Sequence, residues 1–464
     1  MHGVRFKANP TKAQKLTLSQ WMGCSKFIWN AKCSEERYYS IYAKKYCSLG
    51  IYAPIDTKTA HFKDKTLSPW LYDCPSQVLR NSATNWYKTY QNFIKGICGK
   101  PRHKPKSNNG SMYLTREVFD FSQDEFGTVK LFIGTKKNNI GYLSFKAHRK
   151  YKIPKSIYIK KRNGIYSVSF SYETLSKNNN LPKSEAERFK LLKKKTHSYL
   201  ESNTVGIDRG VAIPVQAGND SYNLNITGCS DKKLIQYRNK VKRLQRKLSK
   251  QKKASTRRFK TKLRLSKAHK KISSVRKDFC HKVSHNLVYK TNNAIFVLEK
   301  LNTKNMTKSA KGILEKPGKN VKAKSGLNRS ILDKNWFMFE SMMQYKSLKN
   351  GKVCFKVAAP YTSQTCAIKS CQHRNPNNRK TQSIFECVKC GNRDNADRNA
   401  AKVIKQKALT LISNHSGTEL LGRGIPMLSS IERGSNKESI NYINASHCDD
   451  PLKKKVKTPL LVAV

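Results

Sequence analysis

The clearest shortage in this 464-residue chain is of acidic side chains. It has 29 Asp and Glu against 93 Lys and Arg, so its formal net charge is +64. An enzyme of small neutral metabolites would gain nothing from such self-repulsion, whereas a polyanion would neutralise it. The charge therefore argues against many classes of metabolic enzyme and favours nucleic acid as the partner.

Long apolar segments are also missing. No stretch approaches the roughly 18 apolar residues of a membrane span, and residues 1–7 lack the apolar run of a signal peptide. The 13 cysteines are an odd number and mostly scattered, unlike a secreted disulfide framework. We therefore expect no membrane partner and a reducing location, the cytoplasm of a prokaryotic cell, in association with the nucleoid. The sequence does not indicate the oligomeric state.

Aromatic residues are plentiful enough for a folded chain, with 5 Trp, 21 Tyr and 18 Phe. A Thr-x-x-Gln capping box at Thr11 and Gln14 predicts the start of a helix. From about residue 113 to 172 the apolar period changes to two, which predicts strands, and Asn163-Gly164 predicts a hairpin turn. An oligonucleotide-binding barrel and a merely solvated sheet face are both compatible with this basic β region.

Three carboxylates follow or begin predicted apolar elements. Asp208 interrupts a strand that resumes after a tight turn, Glu299 ends a buried strand, and Asp397 opens a helix. Any one of them is most simply a cap, a turn residue or an ion pair. Together, in so basic a chain, they predict a nuclease site in which two Mg²⁺ ions stabilise the attacking and leaving oxygens. Asp394 is the alternative third acid.

Four cysteines crowd into one short segment. Cys366 and Cys371 form one pair, and Cys387 and Cys390 form a second pair at a spacing typical of zinc ribbons. We therefore expect one structural Zn²⁺ bound by four thiolates. Because four residues separate the first pair instead of the usual two, His373 is an alternative ligand to Cys371.

Residues 232–290 are very basic and carry apolar residues at helical spacing. This pattern predicts a helical hairpin with one apolar seam and one cationic face. A solvated face is the simpler reading, but the density of Lys and Arg favours contact with phosphates. The predicted nucleic-acid-binding residues are Arg243, Arg246, Lys247 and Lys250.

With these residues in place, the chain resembles the TnpB family of transposon-encoded RNA-guided nucleases, relatives of the miniature type V CRISPR effectors. The segment GIDRG at 206–210 looks like the first RuvC motif, VLEKLN at 297–302 like the second and DRNAA at 397–401 like the third. The segments TSQTC at 362–366 and FECVKCG at 385–391 are similar to the zinc ribbon that the family carries between its second and third motifs.

The resemblance implies a multidomain α/β protein with an RNase H-like RuvC core, an inserted zinc ribbon, a β-barrel wedge domain and a helical recognition insert. It also implies a guide RNA from the transposon end and a double-stranded DNA target with a short flanking motif, and it makes Asp208, Glu299 and Asp397 the catalytic Mg²⁺ ligands. Two rival functions stay open, a nuclease-inactive RNA-guided repressor and a strand-transfer transposase. The expected domains are a wedge (1–10 and 100–180), a recognition insert (11–99), a linker (181–203), a RuvC core (204–360 and 392–413), a ribbon (361–391) and a disordered tail (414–464).

Overall fold

The computed structural model describes residues 2–43, 56–105, 107, 109–121, 127–172, 185–229 and 231–414. The strands are β1 His2–Ala8, β2 Gly110–Thr115, β3 Phe119–Phe121, β4 Gly127–Gly134, β5 Asn139–Ala147, β6 Ser156–Arg162, β7 Ile165–Tyr172, β8 Thr204–Asp208, β9 Val215–Ala217, β10 Asp220–Tyr222, β11 Ile295–Glu299, β12 Val353–Val357, β13 Ile384–Glu386 and β14 Arg393–Asn395. The α-helices are α1 Lys12–Tyr38, α2 Ser76–Ile94, α3 Glu185–Lys193, α4 His197–Asn203, α5 Asp231–Ser249, α6 Thr256–His285, α7 Thr303–Met306, α8 Val321–Asp333, α9 Trp336–Lys349 and α10 Ala396–Asn414. This is a mixed α/β fold.

The first seven strands form one barrel-like antiparallel sheet in the order β2-β6-β7-β1-β5-β4-β3. Buried residues alternate along its strands, as in β4, where Val129, Leu131 and Ile133 have no exposed surface. Asn163 and Gly164 join β6 to β7 with positive φ at both positions. The predicted hairpin turn is therefore confirmed.

Helix α1 begins at the predicted capping box. The Thr11 N–H donates to Gln14 Oε1 at 3.0 Å, and the Gln14 N–H donates to Thr11 Oγ1 at 3.3 Å. Leu18 of α1 and Leu79 of α2 are completely buried in the same core as the barrel-like sheet. The two helices therefore pack on that sheet and do not form a core of their own.

A second sheet has the order β10-β9-β8-β11-β12, in which β8, β11 and β12 are parallel and β9 pairs antiparallel with both β8 and β10. Every residue of β11 is buried, as expected for a strand covered on both faces. Phe296 and Leu298 pack against α6 and α9, whereas Ile295 and Val297 pack against α3, α4 and α10.

Helices α5 and α6 form the predicted basic hairpin. Its apolar seam joins the two helices, and the C-terminal half of α6 continues past the hairpin into the core of the five-stranded sheet. The buried residues of the seam are Leu234, Val241, Leu244, Ala268 and Ile272.

The segment predicted as a linker, 181–203, contains two helices in the part that the structure describes. Helices α3 and α4 occupy 185–193 and 197–203. Leu192 and Leu200 are buried against α10 and the five-stranded sheet. Lysine-rich exposed positions surround these few apolar residues, so the local composition resembles that of a linker although the segment has packed helices.

The domain boundaries stay predictions, and residues 415–464 of the predicted tail lie outside the described residues. Over the part of the chain that the structure describes, no helix has the length and apolar character needed to cross a membrane.

Candidate functional site

Two of the predicted acids end neighbouring parallel strands. Leu298 of β11 is in register with Ile207 of β8, and the next residues along the two strands are Glu299 and Asp208. Because parallel strands place their carboxyl ends at the same edge of a sheet, the topology brings these two acids together. They lie 91 positions apart in sequence numbering, from 208 to 299.

The third acid is placed by α10, which packs across β8. A Cβ on Gly206 would lie 2.0 Å from the Ala401 carbonyl oxygen, so only glycine lets the helix approach the strand this closely. Asn395 caps the helix, since its Oδ1 accepts hydrogen bonds from the N–H groups of Asp397 at 3.0 Å and Arg398 at 3.2 Å. Asp397 thus lies in the first turn of α10.

The three carboxylates share one electrostatic environment. Burial, followed by the charges of Glu299 and Asp397, raises the pKa of Asp208 to about 7. Burial also raises the pKa values of Glu299 and Asp397, although a hydrogen bond from Thr362 opposes this at Glu299 and the charge of Arg379 opposes it at Asp397. The structure therefore places Asp208 within electrostatic range of both Glu299 and Asp397, and we call these three residues the acid cluster.

A buried arginine braces this edge of the sheet. Arg209 is 4% exposed and donates from Nη1 to Glu340 Oε2 at 3.0 Å and from Nη2 to the backbone carbonyl of Glu299. Thr362 Oγ1 donates to Glu299 Oε1. These contacts hold the ends of β8 and β11 together and fix the Glu299 carboxylate.

Asp394, the alternative third acid, has a different environment. Its Oδ2 accepts from Lys402 Nζ at 2.7 Å, and its Oδ1 lies 3.6 Å from Arg398 Nη1. Asp397, in contrast, lies 3.6 Å from Arg379 and is one of the charges that raise the pKa of Asp208. The geometry groups Asp397, and not Asp394, with the other two acids.

The acid cluster has the chemistry of a site for hard divalent cations. Buried carboxylates that repel one another are unfavourable unless protons or cations compensate them. Oxygen ligands of this kind are those that Mg²⁺ prefers. Asp208, Glu299 and Asp397 are the residues that would hold such ions.

The four predicted cysteines also converge. Their Sγ atoms all lie within 4.8 Å of one another, and the distances Cys366–Cys390 and Cys371–Cys387 are both 3.7 Å. Thiolates bound tetrahedrally to zinc at about 2.3 Å lie about 3.8 Å apart. The arrangement, which we call the cysteine cluster, therefore fits a structural Zn²⁺ ion.

Local backbone geometry favours metal binding at the cysteine cluster. Burial acts to raise the pKa of the Cys387 thiol, but the N–H groups of Cys390 and Lys389 and the neighbouring thiols outweigh it and lower that pKa to about 7. Gly391 has a φ of +66°, which closes the turn after Cys390. Cys371 belongs to the cluster, whereas His373 contributes its backbone carbonyl to the Cys366 N–H at 3.0 Å.

Asn399 connects the two clusters. It is completely buried on α10, its Oδ1 accepts from the Ala367 N–H at 3.0 Å and its Nδ2 donates to the Thr365 carbonyl at 2.8 Å. The cysteine segment is therefore anchored to the helix that carries Asp397.

The sequence motifs do not single out Arg209, Arg379, Thr362 and Asn399 as functional residues. Arg209, Thr362 and Asn399 stand inside quoted motifs, but nothing in the sequence indicates that Thr362 or Arg379 approaches the acids.

The four predicted phosphate-binding residues lie on α5 or directly after it. Arg243, Arg246, Lys247 and Lys250 are all exposed, and among the described residues none of these side chains has a carboxylate partner. Lys250 directly follows the last residue of the helix.

Comparison with known families gives three matches. Residues 191–310 match the profile of a family described as a probable transposase (OrfB, IS605), and residues 1–39 match the helix-turn-helix domain of OrfB, IS605. Residues 336–404, which include the cysteine cluster and Asp397, match the Cas12f1-like TNB domain.

Individual relatives agree with these matches. The chain is 29% identical over 407 residues to InsQ of Escherichia coli (strain K12), to which RNA-guided DNA endonuclease activity is ascribed, and the alignment covers 87% of this chain and 91% of InsQ. It is 27% identical over 218 residues to the TnpB-like protein L79 of Acanthamoeba polyphaga mimivirus, covering 45% of this chain and 38% of that protein.

Structural comparison matches the chain to solved structures that include two complexes. The first is the cryo-EM structure of the Cas12f1–sgRNA–target DNA complex, with a TM-score of 0.49 and 15% identity, covering 85% of this chain and 82% of that chain. The second is that of CasPhi-2 (Cas12j) bound to crRNA and phosphorothioate-DNA, with a TM-score of 0.41 and 13% identity, covering 91% and 93%.

Proposed function

Because the chain belongs to the TnpB family (OrfB, IS605), which is related to Cas12f, we propose that it is an RNA-guided DNA endonuclease of an insertion-sequence transposon. The observation that carries the proposal is the convergence of Asp208, Glu299 and Asp397 from three separate elements. A chain that had kept only the nucleic-acid-binding surface would have no need to place these three carboxylates together.

The topology of the five-stranded sheet supports a RuvC-type, RNase H-like core. An antiparallel meander of β8, β9 and β10 is extended by β11 and β12, which are parallel to β8. Asp208 and Glu299 end two adjacent strands, β8 and β11, and α10, which packs across β8, carries Asp397. We assign the barrel-like sheet to the wedge domain and α1 and α2 to the recognition insert.

In the proposed mechanism, Asp208, Glu299 and Asp397 would hold two Mg²⁺ ions where β8 and β11 end. Such ions, when bound, would supply positive charge to the attacking and leaving oxygens of a phosphodiester. Arg209 and Thr362 position Glu299, because their contacts hold it in place before substrate binds. Arg379, 3.6 Å from Asp397, is placed to restrain that carboxylate or to contact a nearby phosphate.

We assign a structural Zn²⁺ ion to the cysteine cluster. Its ligation stabilises a segment that has only a small apolar core around Phe385 and Ala396. Because Asn399 joins that segment to α10, a folded ribbon keeps the helix that carries Asp397 in place.

The proposed partners are a guide RNA from the transposon end and a double-stranded DNA target. Pairing between guide and target would read the sequence, while the protein would read a short flanking motif. The cationic face of α5 would bind the phosphate backbone, since its charges are exposed and have no described carboxylate partner.

The decisive experiment starts with the RNA that co-purifies with the protein. The complex, or the protein with that RNA transcribed in vitro, is incubated with Mg²⁺ and a plasmid library containing the matching target and randomised flanks. We expect cleavage of plasmids that carry both the target and one flanking motif. Binding without cleavage would support the repressor, and joining of transposon ends without RNA would support the transposase.

The hairpin assignment has its own test, the salt dependence of RNA affinity. We compare the quadruple variant Arg243→Gln/Arg246→Gln/Lys247→Gln/Lys250→Gln with the natural chain. Each lost phosphate contact should lower the slope of log affinity against log salt by roughly 0.7 to 0.9. Target preference should stay the same, because backbone contacts carry no base information. An altered preference with an unchanged slope would contradict the assignment.

A further inference from the structure

The C-terminal end of α6, the following segment Asn286–Lys290 and the last turn of α9 line an open pocket of about 590 Å³ that none of these proposed roles uses. Its polar lining consists of His281, Lys282, His285, Asn286, Lys290 and Lys346. Among the described residues, no carboxylate lines it. The lining therefore carries positive charge and no acid of its own.

Lys346 is the buried side chain of this pocket. It is 7% exposed, and its Nζ donates to the His281 carbonyl and to Ser284 Oγ, both at 2.7 Å. Both acceptors are neutral, and no described carboxylate lies within ion-pair distance of this ammonium. Burial lowers the pKa of Lys346 to about 8. A charge buried among neutral acceptors gains stability when an anion arrives.

Cations from three elements face His281. Burial and then the charges of Lys346, Lys277 and Arg149 lower its pKa, and Arg149 belongs to the loop after β5. Asp278 acts in the opposite direction, but its carboxylate also lies 3.3 Å from Lys282. One acid thus faces a group of cations that repel one another, which is the electrostatic pattern of an anion site.

We propose that this pocket binds a phosphate group, carried either by a nucleic-acid strand or by a free nucleotide. Ammonium, imidazole and amide N–H groups are suitable donors for its several oxygen acceptors. The pocket is separate from the acid cluster, since Lys346 lies six residues beyond Glu340, or about 9 Å along α9. It therefore adds a binding site to the proposed nuclease and does not depend on cleavage.

The test compares two double variants of equal charge. Lys282→Gln/Lys290→Gln removes two exposed lysines of the pocket, and Lys322→Gln/Lys349→Gln removes two exposed lysines that do not line it. Lys346→Gln is a third variant, interpreted only if its thermal unfolding is unchanged, because Lys346 is buried. Calorimetry measures binding of inorganic phosphate and ATP, and fluorescence anisotropy measures binding of a single-stranded RNA oligonucleotide at several salt concentrations.

If phosphate or ATP binds saturably, we expect the pocket variant to weaken that binding at least about tenfold and the control variant to leave it unchanged. This result would establish a free-nucleotide site. If only RNA binding responds, the salt slope should fall by about 1.4 for two lost contacts with a single strand, and by less in the control. That result would make the ligand a nucleic-acid phosphate. Equal behaviour of the two double variants towards phosphate, ATP and RNA would overturn the proposal.

Discussion

The cysteine cluster is assembled within one short segment, between Cys366 and Cys390, whereas the acid cluster draws on two strands and a helix between Asp208 and Asp397. The four thiols approach one another through two tight local turns, and the acids approach through strand register and helix packing. A metal at the first site would stabilise the local fold, while metals at the second would bind to a site that the core has already formed. The two sites should therefore respond differently to loss of one ligand.

The largest effect is expected at the acid cluster. Glu299→Gln keeps the shape of the side chain and the hydrogen bond from Thr362 but removes a buried negative charge. We expect cleavage to fall by about 10³-fold or more, because several kcal/mol of metal-dependent stabilisation are lost. Guide-RNA affinity and thermal stability should stay close to those of the natural chain.

Cleavage rates and RNA affinity check this prediction side by side, with Glu315→Gln, an exposed acid, as the matched control. Retention of cleavage by the Glu299→Gln protein would remove this residue from the site. For the third acid, Asp397→Ala and Asp394→Ala are compared, and greater damage from Asp394→Ala would contradict the grouping described above.

The cysteine cluster should respond by losing its local structure. Cys387→Ser removes one of four thiolates, and we expect zinc content to fall from one ion per chain towards zero and the ribbon to open. Elemental analysis and protease sensitivity within 361–391 are the measurements. Cys98→Ser, an exposed cysteine outside the cluster, is the control. If the His373→Ala protein lost its zinc and the Cys371→Ser protein kept it, His373 and not Cys371 would be the fourth ligand.

These two sites also differ in how far the sequence predicts them. Spacing alone identifies the four cysteines, because their geometry is local. The three acids could be picked out as carboxylates at the ends of apolar elements, but their convergence depends on the pairing of β8 with β11 and on the close approach of α10 at Gly206. The spacing of apolar residues along the sequence predicts neither the order of the strands in the sheet nor the contact between α10 and β8.

The residues that support the acid cluster could not be predicted from the sequence for a related reason. The contact of Thr362 with Glu299 and the contact of Arg209 with Glu340 join residues far apart in the chain. In the same way, the few apolar positions of α3 and α4 pack only because α10 lies beside them. Local composition predicted the helical hairpin well, since its seam repeats along two adjacent helices.

The pH dependence of stability offers a third, smaller contrast. The pKa of Asp208 is about 7 in the folded protein, against an ordinary value of 3.8. The folded state therefore holds this proton more tightly, so its contribution to stability is complete below about pH 4 and is lost as the pH rises through 7. Without metal, we expect the free energy of unfolding to fall by about 3 kcal/mol between pH 5 and pH 8.

Denaturant unfolding in chelator checks this, with Asp208→Asn as the comparison. The variant should have a flatter pH profile, and Mg²⁺ at pH 8 should stabilise the natural chain more than the variant. Equal profiles for the two proteins would show that Asp208 is not the group that responds. The cysteine cluster should not contribute to the Mg²⁺ effect, because thiolates are poor ligands for that ion.

The smallest effect should come from separating the two sites while both sets of ligands stay intact. Asn399→Ala leaves the Ala367 N–H and the Thr365 carbonyl without their partner on α10, whereas Asn378→Ala removes a buried asparagine whose hydrogen bonds stay within the ribbon. If the ribbon supports the position of Asp397, Asn399→Ala should keep its zinc and lower cleavage by about 10- to 100-fold, the usual cost of losing a supporting contact.

Asn378→Ala should instead weaken zinc binding, and its cleavage should recover when zinc is added in excess. Measuring zinc content and cleavage for both proteins separates the two cases. Recovery of the Asn399→Ala protein by excess zinc would show that the two clusters are not coupled through this side chain.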